Sequence, residues 1–115
     1  MKQSEIWLID LEPSVGAEIR KVRPGIIVND NTLGKLPLKV IVPLTDWKEH
    51  FIDADWMVKI ETDIYNHLMK TSAADCFQVR SLSQNRFIKK LGSITPVQLV
   101  LIQNALACVL SIQRT

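Results

Sequence analysis

Apolar and polar positions alternate from Glu5 to Leu11, where Ile6, Leu8 and Leu11 are separated by polar or amphipathic neighbours, and Pro13, Ser14 and Gly16 then supply turn chemistry. This predicts a first strand. The compact β-branched run Ile26-Ile27-Val28 predicts a second strand over 25–29, buried on both faces, and Asn29 to Gly34 has the composition of a loop. Leu38 to Leu44 predicts a third, with Pro43 near its end or at a free edge, because proline cannot donate to a ladder. Asp46 to Asp55 is acidic but carries Trp47 and Phe51, which predicts an ordered loop rather than a linker. A fourth strand follows over 56–61, an irregular or briefly helical stretch over 62–70, and a fifth strand of mixed preferences over 72–82. A turn at 83–86 leads to a strand over 87–91 that Gly92 ends.

Thr95-Pro96 marks a helix start, with threonine as N-cap and proline at the first helical position, where its missing N–H is not needed. The helix is expected to run to Ile112 with apolar residues nearly all round, more than one contact with a small sheet requires. The surplus face suggests a second contact surface, such as a homodimer partner. Short strands, intervening turns and one late helix give a β-rich α+β domain spanning 1–115, a small twisted barrel-like sheet with a C-terminal helix.

A length of 115 residues with 47% hydrophobic content fits one such domain. The net charge of +2 is too small to point to a nucleic-acid partner by itself. Distribution says more: Arg20, Lys21 and Arg23 form one basic cluster and Arg80, Arg86, Lys89 and Lys90 another, so a fold that joins them offers phosphate a binding surface. Cys76 and Cys108 lie in apolar runs without CxxC spacing, which reads as two buried thiols in a reducing compartment, with neither disulfide nor zinc. The N-terminal apolar run is too brief for a signal peptide, and Val97 to Ile112 is short for a span of about 20 residues and carries Gln98, Gln103 and Asn104, so a cytoplasmic protein is expected.

No Gly-rich phosphate loop, metal-ligand spacing or Ser-His-Asp arrangement stands out, which leaves chemistry that needs no cofactor. RNA cleavage is such a reaction, because the 2′-OH of the substrate is the nucleophile. The stretch from Glu18 to Asp30 brings charged loop residues against a buried strand, and Arg23 at that lip offers a permanent bidentate cation for phosphate. It reads equally as a structural arginine bound to Glu18 or a loop carbonyl. Glu18 can act as base or orient Arg23, or be a solvated loop acid. Thr45, at the exit of the third strand, can donate its hydroxyl to a phosphate oxygen, although threonines at strand ends are commonly turn formers. Arg20, Lys21, Lys48, Gln78, Arg80 and Arg86 are candidates for RNA contacts and Trp47 for base stacking, against a plain reading as solvated surface. His50 and His67, in unpatterned contexts far apart in sequence, read as surface or structural residues.

Taken in series, Glu5-Ile-Trp-Leu-Ile-Asp-Leu-Glu-Pro13, Val15-Gly-Ala-Glu-Ile-Arg20, Arg23-Pro-Gly-Ile-Ile-Val-Asn-Asp30, Val40-Ile-Val-Pro-Leu-Thr45, Phe77-Gln-Val-Arg-Ser-Leu82 and Arg86-Phe-Ile-Lys-Lys-Leu-Gly92 resemble the MazF/PemK family of toxin endoribonucleases over nearly the whole chain. The resemblance implies an SH3-like barrel, a homodimer, metal-independent cleavage of single-stranded RNA to 2′,3′-cyclic phosphate and 5′-hydroxyl ends, and inhibition by an antitoxin. It implies catalytic roles for Arg23 and Thr45 and a supporting one for Glu18. Departures are Ser4 for the usual glycine and Phe77 and Ser83 for usual acids; Asp75, expected on the strand face of Phe77, is placed to substitute. The alternative from another class is a non-catalytic toxin resembling the CcdB gyrase poisons, which typically end in Trp-Gly-Ile, whereas this chain ends Ser111-Ile-Gln-Arg-Thr115. A third reading is an RNA-binding domain with a dead site.

Overall fold

Three strands in antiparallel register, β1 (Glu5–Asp10), β2 (Val22–Ile27) and β3 (Leu38–Asp46), make the centre of the molecule. The computed structural model describes residues 1–33 and 35–113; Gly34, in the expected loop from Asn29, and the closing Arg114 and Thr115 lie outside them. Ile26 sits opposite Ile6 on one side and Val42 on the other, and the next pair along, Ile27 with Ile41, points to the opposite face. The two-residue period therefore makes two apolar clusters. One holds Ile6, Ile26, Val42, Leu44, Ile60 and Ile102, and the other Ile9, Leu11, Ile27, Ile41 and Leu82. Ile26 and Ile27 of the β-branched run are fully buried, one on each face, while Val28 beyond the strand end is partly buried.

The sheet continues outward through β4 (Met57–Ile60), β5 (Ser72–Asp75) and β7 (Phe87–Ser93) in the order β4-β5-β3-β2-β1-β7, and β6 (Arg80–Ser83) also pairs with β3. All these pairings are antiparallel. The single expected strand over 72–82 is thus two, β5 and β6, split by a 3-10 turn at Cys76–Gln78. The split lets both pair with β3: β6 along residues 38–41 and β5 along 44–46. Pro43 lies between those two ladders. It is inside a nine-residue strand rather than near its end, at the seam where the strand changes partner.

Helix α1 (Pro96–Val109) closes the chain, capped reciprocally by Thr95 and Gln98: Thr95 Oγ1 accepts from the Gln98 N–H at 3.2 Å and Gln98 Oε1 accepts from the Thr95 N–H at 2.9 Å. It ends at Val109, short of the expected Ile112. Ile102 and Ala105 join the first apolar cluster, whereas Val97, Val100 and Leu101 remain exposed. Cys76 is buried and its thiol pushed up to about 12 by burial and by Asp75, but Cys108 is exposed, against the expectation of two buried thiols. Among the described residues no helix is long and apolar enough to cross a membrane.

Thr62 to Lys70, expected to be irregular, is irregular and firmly held. Asn66 is fully buried; its Nδ2 donates to the Glu61 carbonyl at 2.8 Å, and its Oδ1 accepts from the Leu68 N–H at 3.0 Å and the Asp63 N–H at 3.3 Å. The Ser93 N–H donates to the Tyr65 carbonyl at 3.0 Å, and a Cβ on Gly92 would stand 2.8 Å from the Asn66 carbonyl carbon. Gly92 therefore lies within β7, not beyond its end, because the loop passes directly against it. Gly92→Ala is expected to lower unfolding stability by about 1–3 kcal/mol through overpacking against backbone, read as a lower urea midpoint with unchanged slope. An unchanged midpoint would mean that the loop yields freely.

Candidate active site

The β2–β3 ladder stops because of a proline. Val28 N–H donates to the Val40 carbonyl at 2.9 Å, and the two-residue period gives the next donors towards β3 to Ile26 and then to position 24. Position 24 is proline. The last paired residues are accordingly Gly25 and Pro43, while β2 stays pinned to β1 as far as Asp10 with Val22. This is why β2 begins at Val22 rather than at the expected Gly25, and why Arg23 and Pro24 lie in the strand itself. Beyond the last rung the two strands line a cavity of about 460 Å³, with Arg23 on one wall and Thr45 on the other.

Cationic and titratable side chains gather there. Asp46, His67, Lys70 and Lys89 line the same cavity. Lys89 arrives on β7, paired with Leu8, whose partner on the other side is Pro24, so one residue of each basic cluster, Arg23 and Lys89, meets at the cavity. Lys70 Nζ lies 2.9 Å from Asp46 Oδ2. Its hydrogen bond, helped by the positive charges of Lys70, Arg23 and Lys48, holds the Asp46 carboxyl below the usual carboxylate range. The Arg23 Nε donates to the Arg20 carbonyl at 3.4 Å, which leaves its terminal nitrogens for a ligand. A permanent cation and a hydroxyl-bearing residue lining one cavity can bind a phosphodiester oxygen pair and stabilise added charge on phosphorus.

A family model described as PemK-like, MazF-like toxin of type II toxin-antitoxin system matches residues 2–110. The chain belongs to that toxin family. Endoribonuclease MazF of Staphylococcus saprophyticus is 29% identical over 106 residues, covering 92% of this chain and 88% of the relative. Among solved structures, the crystal structure of MazF from Deinococcus radiodurans superposes with a TM-score of 0.80 at 18% identity, covering 96% of each chain. An endoribonuclease in complex with its cognate antitoxin, from a mycobacterial species, gives 0.78 at 19% identity, covering 100% of this chain and 99% of that one. At these identities the structures share the fold, a seven-stranded antiparallel sheet with one C-terminal helix.

Elsewhere in this toxin several expected site residues are engaged in holding the structure. Glu18 does not meet Arg23; its Oε1 accepts from the Val15 N–H and closes the 15–18 turn, beside a second cavity of about 450 Å³ that Phe77, Gln78 and Arg80 also line. Gln78 bridges: its Oε1 accepts from the Ile19 N–H at 2.6 Å and its Nε2 donates to Asp75 Oδ2 at 3.0 Å. Asp75 is buried, which pushes its carboxyl up, and it caps the 3-10 turn by accepting from the Phe77 N–H. It therefore does not share a strand face with Phe77 and cannot replace a surface acid there. The Arg86 guanidinium donates to the carbonyls of Asp10 and Glu12, clamping the β1 exit, so it is not a free RNA contact. Arg20 lies 3.9 Å from Glu12, and the Lys21 N–H donates to the same carboxylate, with Lys21 in the left-handed region at φ 69°. Lys48 is exposed.

Trp47 is half-buried between the edge of Phe51, at 5.8 Å, and Lys59 Nζ, 5.2 Å from its ring, and its buried indole N–H has no hydrogen-bond partner among the described residues. This packing makes Asp46 to Asp55 ordered, with a 3-10 turn at Glu49–Asp53, and leaves the ring little free face for a base. His50 is exposed and stacks edge-on with Phe51. His67, expected to be a surface or structural residue, is exposed and also lines the Arg23–Thr45 cavity. Nothing in its sequence neighbourhood signals this; the fixed loop brings it there.

Because Asp46 is depressed in the folded chain, its ion pair contributes stability above the unfolded carboxylate pKa and loses it as pH falls through the lower folded one. Both partners are more than a third exposed, so solvent screening limits the contribution to roughly 0–1 kcal/mol. Carboxyl-carbon NMR titration is expected to place Asp46 below the ordinary aspartate value in the folded protein, and Lys70→Met to return it upward. A midpoint indifferent to Lys70→Met would contradict the pairing.

Proposed function

We propose that this toxin is a sequence-specific, metal-independent endoribonuclease that cleaves single-stranded RNA by attack of the 2′-OH on the adjacent phosphate. The observation that supports it best is the placement of Arg23 opposite Thr45 in one cavity beyond the last rung of the β2–β3 ladder. The Arg23 guanidinium holds the phosphate bidentately, and as phosphorus becomes five-coordinate it neutralises the charge accumulating on the equatorial oxygens. The Thr45 hydroxyl donates to one of those oxygens. Glu18 and Gln78 fix the loop that forms the neighbouring cavity, where Arg80 and exposed Phe77 offer a cation and a stacking face to the rest of the strand. The products are a 2′,3′-cyclic phosphate and a 5′-hydroxyl, and neither a metal nor an organic cofactor is needed because the nucleophile belongs to the substrate.

In the cytoplasm the toxin acts as a homodimer, for which the exposed Val97, Val100 and Leu101 of α1 offer an apolar face, and a cognate antitoxin restrains it by covering the RNA groove. The gyrase-poison reading is not favoured, since the curated relatives are endoribonucleases.

Cleavage of a long single-stranded RNA in EDTA tests the proposal. Wild type is expected to cut at defined sites, Arg23→Ala to be slower by about 10³-fold and Thr45→Val by about 10²-fold, with circular dichroism unchanged. Full activity in folded Arg23→Ala would remove the mechanism.

A further inference from the structure

The mechanism above lacks a group to take the proton from the 2′-OH. Glu18 is not that group: it lies beside the other cavity and its carboxylate serves the Val15 N–H. Around the cavity that holds Arg23 and Thr45, the charged and titratable side chains are Arg23 on β2, Asp46 on β3, Lys89 on β7, and His67 and Lys70 on the connection into β5. Arginine and lysine are protonated at neutral pH and cannot accept. Asp46 is committed to Lys70 and held more acidic than an ordinary carboxylate, which makes it a weaker base. Imidazole is the one side chain in the set whose ordinary titration falls near neutrality.

The backbone holds His67 in place. The residue adopts a left-handed conformation, φ 53°, uncommon outside glycine but one that histidine, like asparagine and aspartate, takes more readily than most. On one side of it Asn66 is fully buried and hydrogen-bonded through its side chain, and on the other Leu68 packs against the first apolar cluster. Three residues on, Lys70 binds Asp46, the Trp47 N–H donates to the Thr71 carbonyl at 3.3 Å, and Ser72 pairs with Asp46. The segment carrying the imidazole is thus tied at one end to Gly92 and Ser93 and at the other to the residue after Thr45.

We infer that His67 is a further catalytic residue of this site, the general base that removes the 2′-OH proton. This rests on the endoribonuclease reading. In the step, the 2′-oxygen forms its bond to phosphorus as its proton passes to a ring nitrogen of neutral His67. The bond from phosphorus to the 5′-oxygen breaks, that oxygen takes a proton from water, and the imidazolium returns its proton to solvent through the open cavity. Arg23 and Thr45 stabilise the phosphorane while this happens.

The test uses His67→Asn and His67→Gly, both of which tolerate the left-handed backbone, beside wild type and Arg23→Ala, on a single-site RNA across pH 5 to 9. Single-turnover cleavage by wild type is expected to rise with pH through the imidazole range and level off. In both His67 variants the rate at pH 8 is expected to fall by about 10²-fold or more, that rise to vanish, and added imidazole to restore part of the rate. Binding of the same RNA with a 2′-deoxy nucleotide at the cut site is expected to be unchanged. Wild-type rates in either variant, or a lowered rate that keeps the rising limb and ignores imidazole, would overturn the role of His67. Absence of cutting by folded wild type would instead overturn the endoribonuclease reading itself, so the two failures are distinct.

Discussion

One missing N–H organises this molecule. Antiparallel strands continue to pair until something stops them, and between β2 and β3 the stop is Pro24, which occupies the position where the next donor is due. On its other side β2 remains paired with β1, so the backbone beyond Gly25 stays extended and anchored while one flank opens. That geometry puts Arg23 and Thr45 on facing walls of a cavity without surrendering the rigidity of either strand. The second proline, Pro43, divides the far flank of β3 between β6 and β5, and β5 in turn brings the Asn66 to Lys70 segment up to the cavity.

Chemistry follows from what this arrangement excludes as well as what it gathers. The charged groups lining the cavity are Arg23, Lys70, Lys89, His67 and one carboxylate, Asp46, already paired with Lys70. Other charged residues are spent on the scaffold: Arg86 on the carbonyls that leave β1, and Glu12 on Arg20 and the Lys21 N–H. The net charge of +2 therefore understates the cavity, because position rather than sum determines what a phosphate meets.

Much of this was legible in the chain. The β-branched Ile26-Ile27-Val28, the Thr95-Pro96 cap and the charged lip before Pro24 each state a local physical preference that the fold keeps. Arg23 and Thr45, each beside a strand signal in the sequence, line one cavity in the fold. What sequence could not show depends on distant partners. Gln78 reads as an RNA contact until the Ile19 N–H is found on its amide oxygen, and Asp75 reads as a surface acid until the 3-10 turn at Cys76–Gln78 folds it inward. His67 sits in a stretch without periodicity, and its position is decided by Asn66, Gly92 and the Asp46–Lys70 pair. Trp47 looked free to stack on a base because its neighbours Phe51 and Lys59 lie on separate elements of the chain.

In the proposed reaction the cavity of Arg23 and Thr45 acts on a phosphate attacked by its own neighbouring 2′-oxygen. The measurement that meets it most directly compares two RNAs, identical except for one 2′-deoxy nucleotide immediately 5′ of the cut, with the wild-type toxin in EDTA and the product ends determined by mass spectrometry. Both strands are expected to bind, only the all-ribo strand to be cut, and its fragments to carry a 2′,3′-cyclic phosphate and a 5′-hydroxyl. Cleavage of the deoxy-substituted strand at the same position, or fragments ending in 3′-hydroxyl and 5′-phosphate, would contradict it.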